Sequence, residues 1–437
     1  MIIHPASRIV GKLEMPGDKS ISHRAAMIAA LAHGTSHIRN FSTSEDCAAT
    51  LRCLEQLGLS ITRKGNDVMV QGAGTRGLSA PIEALDCGNS GTTMRLLAGI
   101  LAGQGFEATL TGDESLRSRP MQRIIEPLEM MGAEISSDEG RAPLTIRGRH
   151  PLQAIDYELL VASAQVKSAI LLAGLNADGQ TKIVEQRPTR DHSERMLRWF
   201  GVAVEQGDAP KEGQTFAAVT GPASLAARDV EVPGDISSAA YFIAAAALLA
   251  GSSLEIVNVG TNPSRTAFLN LLLIMGLSVR FEEPREESNE PVGTISVEGP
   301  AEEIKTRGRL TSIESSIVAT AIDELPLLAV VGSQFNGGIE MRDARELRLK
   351  ESDRIAATVA GLRAMGAEVE EWENGFRVGG PTRLRGARID SRGDHRIAMT
   401  FAVAGLLAEG DTEITGAECV SISFPEFFEL LSSVVEQ

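Results

Sequence analysis

Residues 128–135 read LEMMGAEI, and residues 362–369 repeat this pattern as LRAMGAEV. Three further copies are LEQLGLSI at 54–61, LRWFGVAV at 197–204 and LLIMGLSV at 272–279. Each copy is typical of a helix that ends at a glycine able to adopt the left-handed conformation, followed by a strand. A second β-prone stretch follows nearly every copy, so the pattern predicts a helix and then a β-hairpin.

A second pattern is in phase with the first. An apolar helix that ends in glycine, followed by a predicted strand, recurs at Gly34, Gly103, Gly174, Gly251, Gly332 and Gly410. Two patterns that stay in phase along a chain indicate internal repeats. We therefore predict six repeats that together account for all 437 residues.

Two related motifs divide the chain in half. MPGDKSIS at 15–22 and VPGDISSA at 232–239 share Pro-Gly-Asp-x-Ser ahead of an apolar helix, which the Asp or Ser can cap. We predict two lobes of three repeats, one of residues 17–232 and the other of residues 1–16 with 233–437. The hinges are expected near Pro16–Gly17 and Pro233–Gly234, and the cleft between the lobes is the expected ligand site.

The composition limits the class of protein. The 43% hydrophobic and 23% charged residues are typical of a globular protein, and the net charge of −16 argues against nucleic acid or an anionic membrane as a partner. The four cysteines form no C-x-x-C pair, which fits a reducing compartment. The N-terminus has no signal-peptide core, and the longest apolar run, 241–250, is too short to span a bilayer. We expect a cytoplasmic protein. Its sequence has no metal-binding cluster or nucleotide fingerprint, so we expect no metal or cofactor, and a monomer is the default because the expected cleft lies within one chain.

Because the chain is acidic, clusters of basic residues are informative. Lys19, Ser20 and Arg24 follow a glycine turn at the start of a predicted helix, whose N-terminus favours an anion. CGNSGTTMR at 87–95 is a second glycine turn into a helix, and it either binds an anion or is an ordinary turn. The GDKS sequence lacks the spacing of a nucleotide-binding P-loop, which excludes a kinase of that type.

Further clusters lie later in the chain. SLRSRPMQR at 115–123 contains Arg119, which is either a carboxylate or phosphate ligand or part of a solvated charge run. In RELRLKESDRI, Lys350 and Arg354 are expected on one helix face, where an anionic ligand would offset their repulsion. In RGDHRIAM, Asp394 is the expected cap of a helix that starts with His395 and Arg396.

Two carboxylates complete the set of candidates. Asp323 in AIDELP is either a helix or turn cap or an acid–base group, and Glu351 lies beside Lys350. SAQVKSA at 163–169 places Ser163 and Gln165 two residues apart, next to Lys167.

Together these motifs resemble the 5-enolpyruvylshikimate-3-phosphate (EPSP) synthase family, and most closely its bacterial subgroup with GDKSISHR and SAQVKSA. The matching segments are PGDKSISHR (16–24), GNSGTTMR (88–95), RPM (119–121), SAQVKSA (163–169), TRDHSE (189–194), PGDISSAAYF (233–242), DELP (323–326), LKESDR (349–354) and GDHR (393–396). The resemblance implies an α/β fold of two lobes, each with three βαβαββ units, in an inside-out α/β barrel arrangement. It agrees with the six repeats counted above.

The resemblance also implies substrates and site residues. The expected ligands of shikimate 3-phosphate are Lys19, Ser20, Arg24, Ser163, Gln165, Arg190, Asp323 and Lys350. The expected ligands of phosphoenolpyruvate are Lys19, Gly91, Arg119, Gln165, Arg354 and Arg396. Asp323 is expected to act as the base toward the attacking hydroxyl, with Glu351 and Lys19 in proton delivery. Because Gly91 keeps space beside the phosphoenolpyruvate pocket, we expect glyphosate to compete there.

Two rival interpretations remain. The sister enolpyruvyl transferases that act on UDP-N-acetylglucosamine have a cysteine where this chain has Glu114 and Lys-Asn where it has Lys19–Ser20, so the sequence disfavours them. A non-catalytic repeat scaffold would have lost part of the basic set, whereas every basic cluster is present. The reaction brings two polyanions together, so we expect the lobes to close around them.

Overall fold

A computed structural model describes residues 1–301, 311–313 and 315–437. These residues form two compact units. The first unit comprises Gly17–Pro233 and Glu286–Glu290, and the second comprises Met1–Pro16, Gly234–Arg285 and Pro291–Gln437.

The first unit alternates buried helices with strands. Its helices are Lys19–Ala30, Glu45–Gln56, Gly91–Ala102, Glu114–Ser118, Gln122–Met130, Ala164–Gly174 and His192–Trp199. Its strands are Ala32–Arg39, Ser60–Lys64, Asp67–Ala73, Leu85–Asp86, Glu107–Thr111, Glu134–Asp138, Arg141–Arg147, Leu152–Gln153, Asp156–Glu158, Ala177–Glu185, Val204–Asp208, Thr215–Gly221, Leu225–Ala226 and Val230–Glu231.

The second unit follows the same scheme. Its α-helices are Ile236–Leu248, Ala267–Ile274, Ser315–Thr320, Leu325–Gly332, Arg354–Ala364, His395–Leu406 and Phe427–Val434, and its 3-10 helices are Arg345–Leu349 and Ala417–Ile422. Its strands are Ile2–Ile3, Arg8–Glu14, Ser253–Gly260, Ser278–Glu287, Glu290–Glu298, Thr311–Ile313, Ile339–Met341, Val369–Trp372, Gly375–Val378, Arg388–Asp390, Thr412–Thr415 and Val435–Glu436.

Across the described residues the strands form six sheets, three from each unit, as six repeats predict. The second repeat shows the shared plan. The leading strand Leu85–Asp86 runs parallel to the central strand Glu107–Thr111. The central strand pairs antiparallel with Arg141–Arg147, which forms a hairpin with Glu134–Asp138. A parallel pair needs a crossover helix, so this repeat has the order βαβαββ.

Two chain segments lie in the sheets of distant repeats. Arg8–Glu14 is the parallel leading strand beside Ser253–Gly260, although it precedes the first repeat in sequence. Leu225–Ala226 and Val230–Glu231 run parallel to Ala32–Arg39, although they follow the third repeat. These pairings explain why the first 16 residues group with the second half of the chain.

The repeat glycines behave as the first pattern predicts. Gly58, Gly132, Gly201, Gly276 and Gly366 all have φ between 85° and 103°, which favours glycine. The second pattern is wrong at Gly34, and the helices before Gly251 and Gly410 end three and four residues ahead of the glycine. Gly34 lies inside the strand Ala32–Arg39, because the preceding helix ends at Ala30 and the chain enters the strand almost at once.

Capping side chains fix the start of the repeat-leading helices. Asp18, Ser90, Ser163, Asp235 and Asp394 each accept a hydrogen bond from a backbone N–H in the following turn. The capping roles predicted for Asp18, Asp235 and Asp394 are therefore confirmed. These helices are almost wholly buried. Their polar side chains and free backbone N–H groups are therefore concentrated at their N-termini. Every helix in the described part of the chain is too short or too polar to cross a membrane.

Candidate active site

Lys19 is the first residue of the helix Lys19–Ala30. Its ammonium nitrogen lies 2.8 Å from Oδ2 of Asp46, in the first turn of the helix Glu45–Gln56. Both side chains are largely buried, with 18% and 9% of their surface exposed. The backbone carbonyl of Asp46 also accepts a hydrogen bond from Thr93, which connects this pair to the helix that starts at Gly91.

Arg24 is held by two serines of the third repeat. Its Nε donates to Ser193 Oγ at 2.7 Å, and its Nη2 donates to Ser168 Oγ at 2.9 Å. Its Nη1 donates to the carbonyl of Ser20 at 2.9 Å, one turn earlier on the same helix. Because Arg24 is only 4% exposed, these acceptors fix the direction of its guanidinium group.

Gly91 lies against two guanidinium groups. A Cβ atom at this position would be 2.8 Å from Nη1 of Arg95 and 3.5 Å from Nη1 of Arg119. Arg119 Nη2 donates to Asn89 Oδ1 at 2.7 Å and to Ser115 Oγ at 3.1 Å. The helix N-terminus and two buried cations therefore converge at Gly91, where a larger residue would require the Arg95 guanidinium to shift.

Gln165 joins the third repeat to this cluster. Its Oε1 accepts from Arg95 Nη1 at 2.6 Å, and its Nε2 donates to Thr92 Oγ1 at 2.9 Å. Ser163 caps the same helix. Arg190 is partly exposed just before the helix His192–Trp199, which carries Ser193.

The ammonium group of Lys167 is paired with carboxylates of its own repeat rather than with this cluster. It is 1% exposed, and its ammonium group is bound by the carboxylates of Glu185 and Glu194 at 2.9 and 2.7 Å. The SAQVKSA motif thus contributes Ser163 and Gln165 to the cluster, whereas its lysine is internal.

In the second unit, Asp323 is flanked by two cations. Its Oδ1 lies 3.5 Å from Nη1 of Arg354 and 3.8 Å from the ammonium nitrogen of Lys350. The following helix, Leu325–Gly332, begins after Glu324 and has no side-chain cap. These contacts favour the acid–base interpretation of Asp323 over a capping role.

Arg354 is surrounded by carboxylates. Nε lies 2.8 Å from Asp394 Oδ2, and Nη2 lies 2.5 Å from Glu351 Oε2. Burial alone would lower the pKa of Arg354, but Asp394, Glu351 and Asp323 raise it overall. An anionic ligand that binds Arg354 must compete with these carboxylates.

The expectation that Lys350 and Arg354 share a helix face is wrong. The 3-10 helix Arg345–Leu349 ends before Lys350, and the α-helix begins at Arg354 because Asp353 caps it. Both cations nevertheless reach Asp323. Burial lowers the pKa of Lys350, and Arg354 adds to this effect, although Asp323 opposes it.

Arg396 follows His395 at the start of the helix that Asp394 caps, as predicted. It is 8% exposed and lies near Tyr241. Burial would lower the pKa of Arg396, but Tyr241, Asp323 and Glu324 contribute to raising it well above its usual value. Burial also raises the pKa of the Tyr241 phenol to about 12.

Comparison with known proteins shows the family of this chain. The family model for EPSP synthase (3-phosphoshikimate 1-carboxyvinyltransferase) matches residues 3–431. The chain belongs to the EPSP synthase family. A 3-phosphoshikimate 1-carboxyvinyltransferase of Koribacter versatilis is 52% identical over 438 residues, covering 100% of this chain and 99% of the relative. One from Desulfitobacterium hafniense is 49% identical, covering 99% of this chain and 97% of the relative.

The solved structures show the same fold. An EPSP synthase structure from Acinetobacter baumannii matches with a TM-score of 0.85 and 41% identity, covering 99% of this chain and 98% of that one. The predicted EPSP synthase fold is therefore confirmed, and the UDP-N-acetylglucosamine alternative is not favoured.

Sequence reasoning quoted Arg95 within GNSGTTMR but gave it no role. Its position four residues after Gly91 on one helix face could have indicated it. Ser168 and Ser193 lie inside the segments SAQVKSA and TRDHSE but were likewise given no role, and Asp46 was missed altogether. They come from segments distant in sequence, and no local pattern distinguishes them from ordinary helix residues.

Proposed function

We propose that this EPSP synthase family member transfers the enolpyruvyl group of phosphoenolpyruvate to the 5-hydroxyl of shikimate 3-phosphate and releases phosphate. The observation that carries the proposal is the carboxylate of Asp323, held within 4 Å of both Lys350 and Arg354. A carboxylate in this setting can accept a proton from a hydroxyl, and the adjacent cations stabilise the negative charge that develops.

Shikimate 3-phosphate needs cations and backbone N–H groups for its phosphate and polar partners for its ring. The residues proposed to supply them are Lys19, Ser20, Arg24, Ser163, Gln165, Arg190, Asp323 and Lys350. The fixed guanidinium group of Arg24 and the capped helix that begins after Ser163 support this assignment.

Phosphoenolpyruvate carries a phosphate and a carboxylate. Its proposed ligands are Lys19, Gly91, Arg119, Gln165, Arg354 and Arg396. The space at Gly91 beside Arg119 supports this assignment, and Arg95 is added to it because the same space borders its guanidinium group. Glyphosate, which likewise carries a carboxylate and a phosphorus-centred anion, is proposed to compete for this space.

The proposed chemistry is an addition followed by an elimination. The methylene carbon of phosphoenolpyruvate takes up a proton, the 5-hydroxyl loses its proton to Asp323, and its oxygen bonds to the adjacent carbon. The resulting tetrahedral intermediate loses a proton from the new methyl group and expels phosphate, which restores the double bond. Glu351 and Lys19 are proposed to deliver and remove the proton at carbon.

The remaining parts of the proposal concern the state of the protein. We propose that it acts in the cytoplasm as a monomer, without a metal or cofactor. All four cysteines are free thiols, which supports a reducing compartment.

Release of phosphate from phosphoenolpyruvate with different acceptors tests the function. We expect release with shikimate 3-phosphate and none with UDP-N-acetylglucosamine or without an acceptor. Asp323→Asn should lower kcat about a hundredfold or more, since a positioned base contributes that much. The matched control Asp343→Asn changes an exposed carboxylate and should retain activity. Release with the sugar nucleotide alone, or full activity of Asp323→Asn, would contradict the proposal.

A further inference from the structure

Lys167 is one of the most deeply buried charged residues of the first unit. Its ammonium group contacts Glu185 Oε2 and Glu194 Oε1, and the three side chains are 1%, 5% and 0% exposed. Thr189 donates a further hydrogen bond to Glu185. Burial would lower the pKa of Lys167, but Glu194 and Glu185 raise it overall, so the lysine stays charged.

These three residues connect three elements. Lys167 is on the helix Ala164–Gly174, Glu185 ends the strand Ala177–Glu185, and Glu194 is on the helix His192–Trp199. Lys167 therefore joins the two helices directly, because its ammonium group donates a charge-assisted hydrogen bond to Glu194.

The residues next to this ion pair hold Arg24. Ser168 follows Lys167 and Ser193 precedes Glu194, and both serines accept from the Arg24 guanidinium. Ser193 also donates to Ser168 at 2.7 Å. The distance between the two helices thus determines whether both serines can accept from Arg24 at once.

Stability alone is a weak explanation for such a triad. Apolar residues of similar size often replace a buried ion pair with no loss of stability. In some proteins a buried ion pair instead fixes the relative position of the elements that it joins.

We propose that Lys167 is a positioning residue, which holds the helices Ala164–Gly174 and His192–Trp199 at the separation at which Ser168 and Ser193 orient Arg24 toward shikimate 3-phosphate. The inference rests on the proposed function, because it assigns Arg24 to that substrate.

The test compares three variants by steady-state kinetics with each substrate and by thermal unfolding. The first is Lys167→Met/Glu185→Gln/Glu194→Gln, which removes the charges together and leaves no buried carboxylate uncompensated. The second is Ser168→Ala/Ser193→Ala, and the third combines the two sets. Glu194→Gln alone is the substitute if the triple variant does not fold, because Lys167 then keeps Glu185 as its partner.

We expect the triple variant to raise KM for shikimate 3-phosphate about ten- to hundredfold, the loss that follows when a charge-assisted hydrogen bond is misdirected. KM for phosphoenolpyruvate should stay within about twofold of the wild-type value, which is the deviation expected between independent sites. The KM of the combined variant for shikimate 3-phosphate should lie within about twofold of the KM of the serine variant, because both sets of changes act through Arg24.

Two results would overturn the positioning role. One is an unchanged KM for shikimate 3-phosphate in a folded triple or Glu194→Gln variant. The other is a combined variant in which the increase in KM for shikimate 3-phosphate equals the product of the increases in the triple variant and the serine variant. Absence of turnover in the wild-type protein with both substrates would instead overturn the proposed function, so the two failures are distinguishable.

Discussion

The ammonium group of Lys19 lies 2.8 Å from the carboxylate of Asp46, and both residues are in the first turns of neighbouring helices. This contact fixes the direction of a long and flexible side chain at the start of a helix, where an anionic substrate is expected. We therefore predict that Asp46 positions Lys19 for the substrate.

Asp46→Asn should lower kcat/KM for phosphoenolpyruvate about tenfold or more, because a charge-assisted hydrogen bond contributes about 1.5–3 kcal/mol. The backbone contact between Asp46 and Thr93 is unaffected by this change. Steady-state kinetics measure the effect, and Glu45→Gln is the control, since Glu45 is the exposed neighbour in the same turn. Equal losses in the two variants would argue against a specific role of Asp46.

The space at Gly91 predicts how substrate and inhibitor binding respond to a single methyl group. In Gly91→Ala the new Cβ would be 2.8 Å from Arg95 Nη1, so the guanidinium or the ligand must move. We expect KM for phosphoenolpyruvate to rise about tenfold, the effect of roughly 1.4 kcal/mol, and inhibition by glyphosate to weaken.

Gly105→Ala is the matched control, because a Cβ at Gly105 meets no atom within 4 Å. Inhibition constants and KM values from initial rates decide the outcome. If Gly91→Ala bound both ligands as the wild type does, the ligands would not occupy this space.

How much of this could be read from the sequence depends on how local each feature is. The repeat was visible because a left-handed glycine between helix and strand is a local requirement, met at Gly58, Gly132, Gly201, Gly276 and Gly366. The caps Asp18, Asp235 and Asp394 were visible for the same reason, since each bonds a backbone N–H within three residues.

Contacts between residues far apart in sequence could not be predicted in this way. Asp46 is 27 residues from Lys19, and Ser193 is 169 residues from Arg24. The helix predicted across Lys350 and Arg354 failed because Asp353 competes locally, capping a new helix and breaking the run. Lys350 and Arg354 were correctly expected to lie close together, but the shared helix face from which this was inferred does not exist.

The lowered pKa of Lys350 predicts the alkaline limb of the pH profile. The ammonium form is the one that can donate to the acceptor hydroxyl, so kcat should fall as pH rises through this pKa, which lies below the ordinary value of 10.5. Lys350→Arg keeps its charge across this range and should move the decline to higher pH, at a reduced maximum rate. A pH profile of kcat checks this, and an identical alkaline limb in both proteins would contradict it.

The buried contact between Arg354 and Asp394 is expected to stabilise the second unit, so its removal should lower the stability of that unit. Asp394→Asn keeps the helix cap, since Asn also caps well, but leaves Arg354 without its closest fully buried carboxylate. We expect the free energy of unfolding to fall by about 1.5–3 kcal/mol, the contribution of a charge-assisted hydrogen bond, because Glu351 and Asp323 still compensate the charge of Arg354.

Fluorescence of Trp372 during denaturation reports on this unit if Trp199 is first replaced by Phe, since the chain has 2 tryptophans. The control is Asp390→Asn, an exposed carboxylate four residues earlier, which should change stability by no more than about 0.5 kcal/mol. Equal stability of the two variants would show that the Arg354–Asp394 contact is not a stabilising one.

The most direct test of the proposed reaction is NMR spectroscopy of the product formed from phosphoenolpyruvate and shikimate 3-phosphate in D2O. Addition followed by elimination passes through a methyl group that has gained one deuterium from the solvent, so deuterium should appear in the methylene group of the enol ether product. One phosphate should be released for each product molecule. A product without deuterium in that methylene group, or no enol ether with shikimate 3-phosphate as acceptor, would contradict the account.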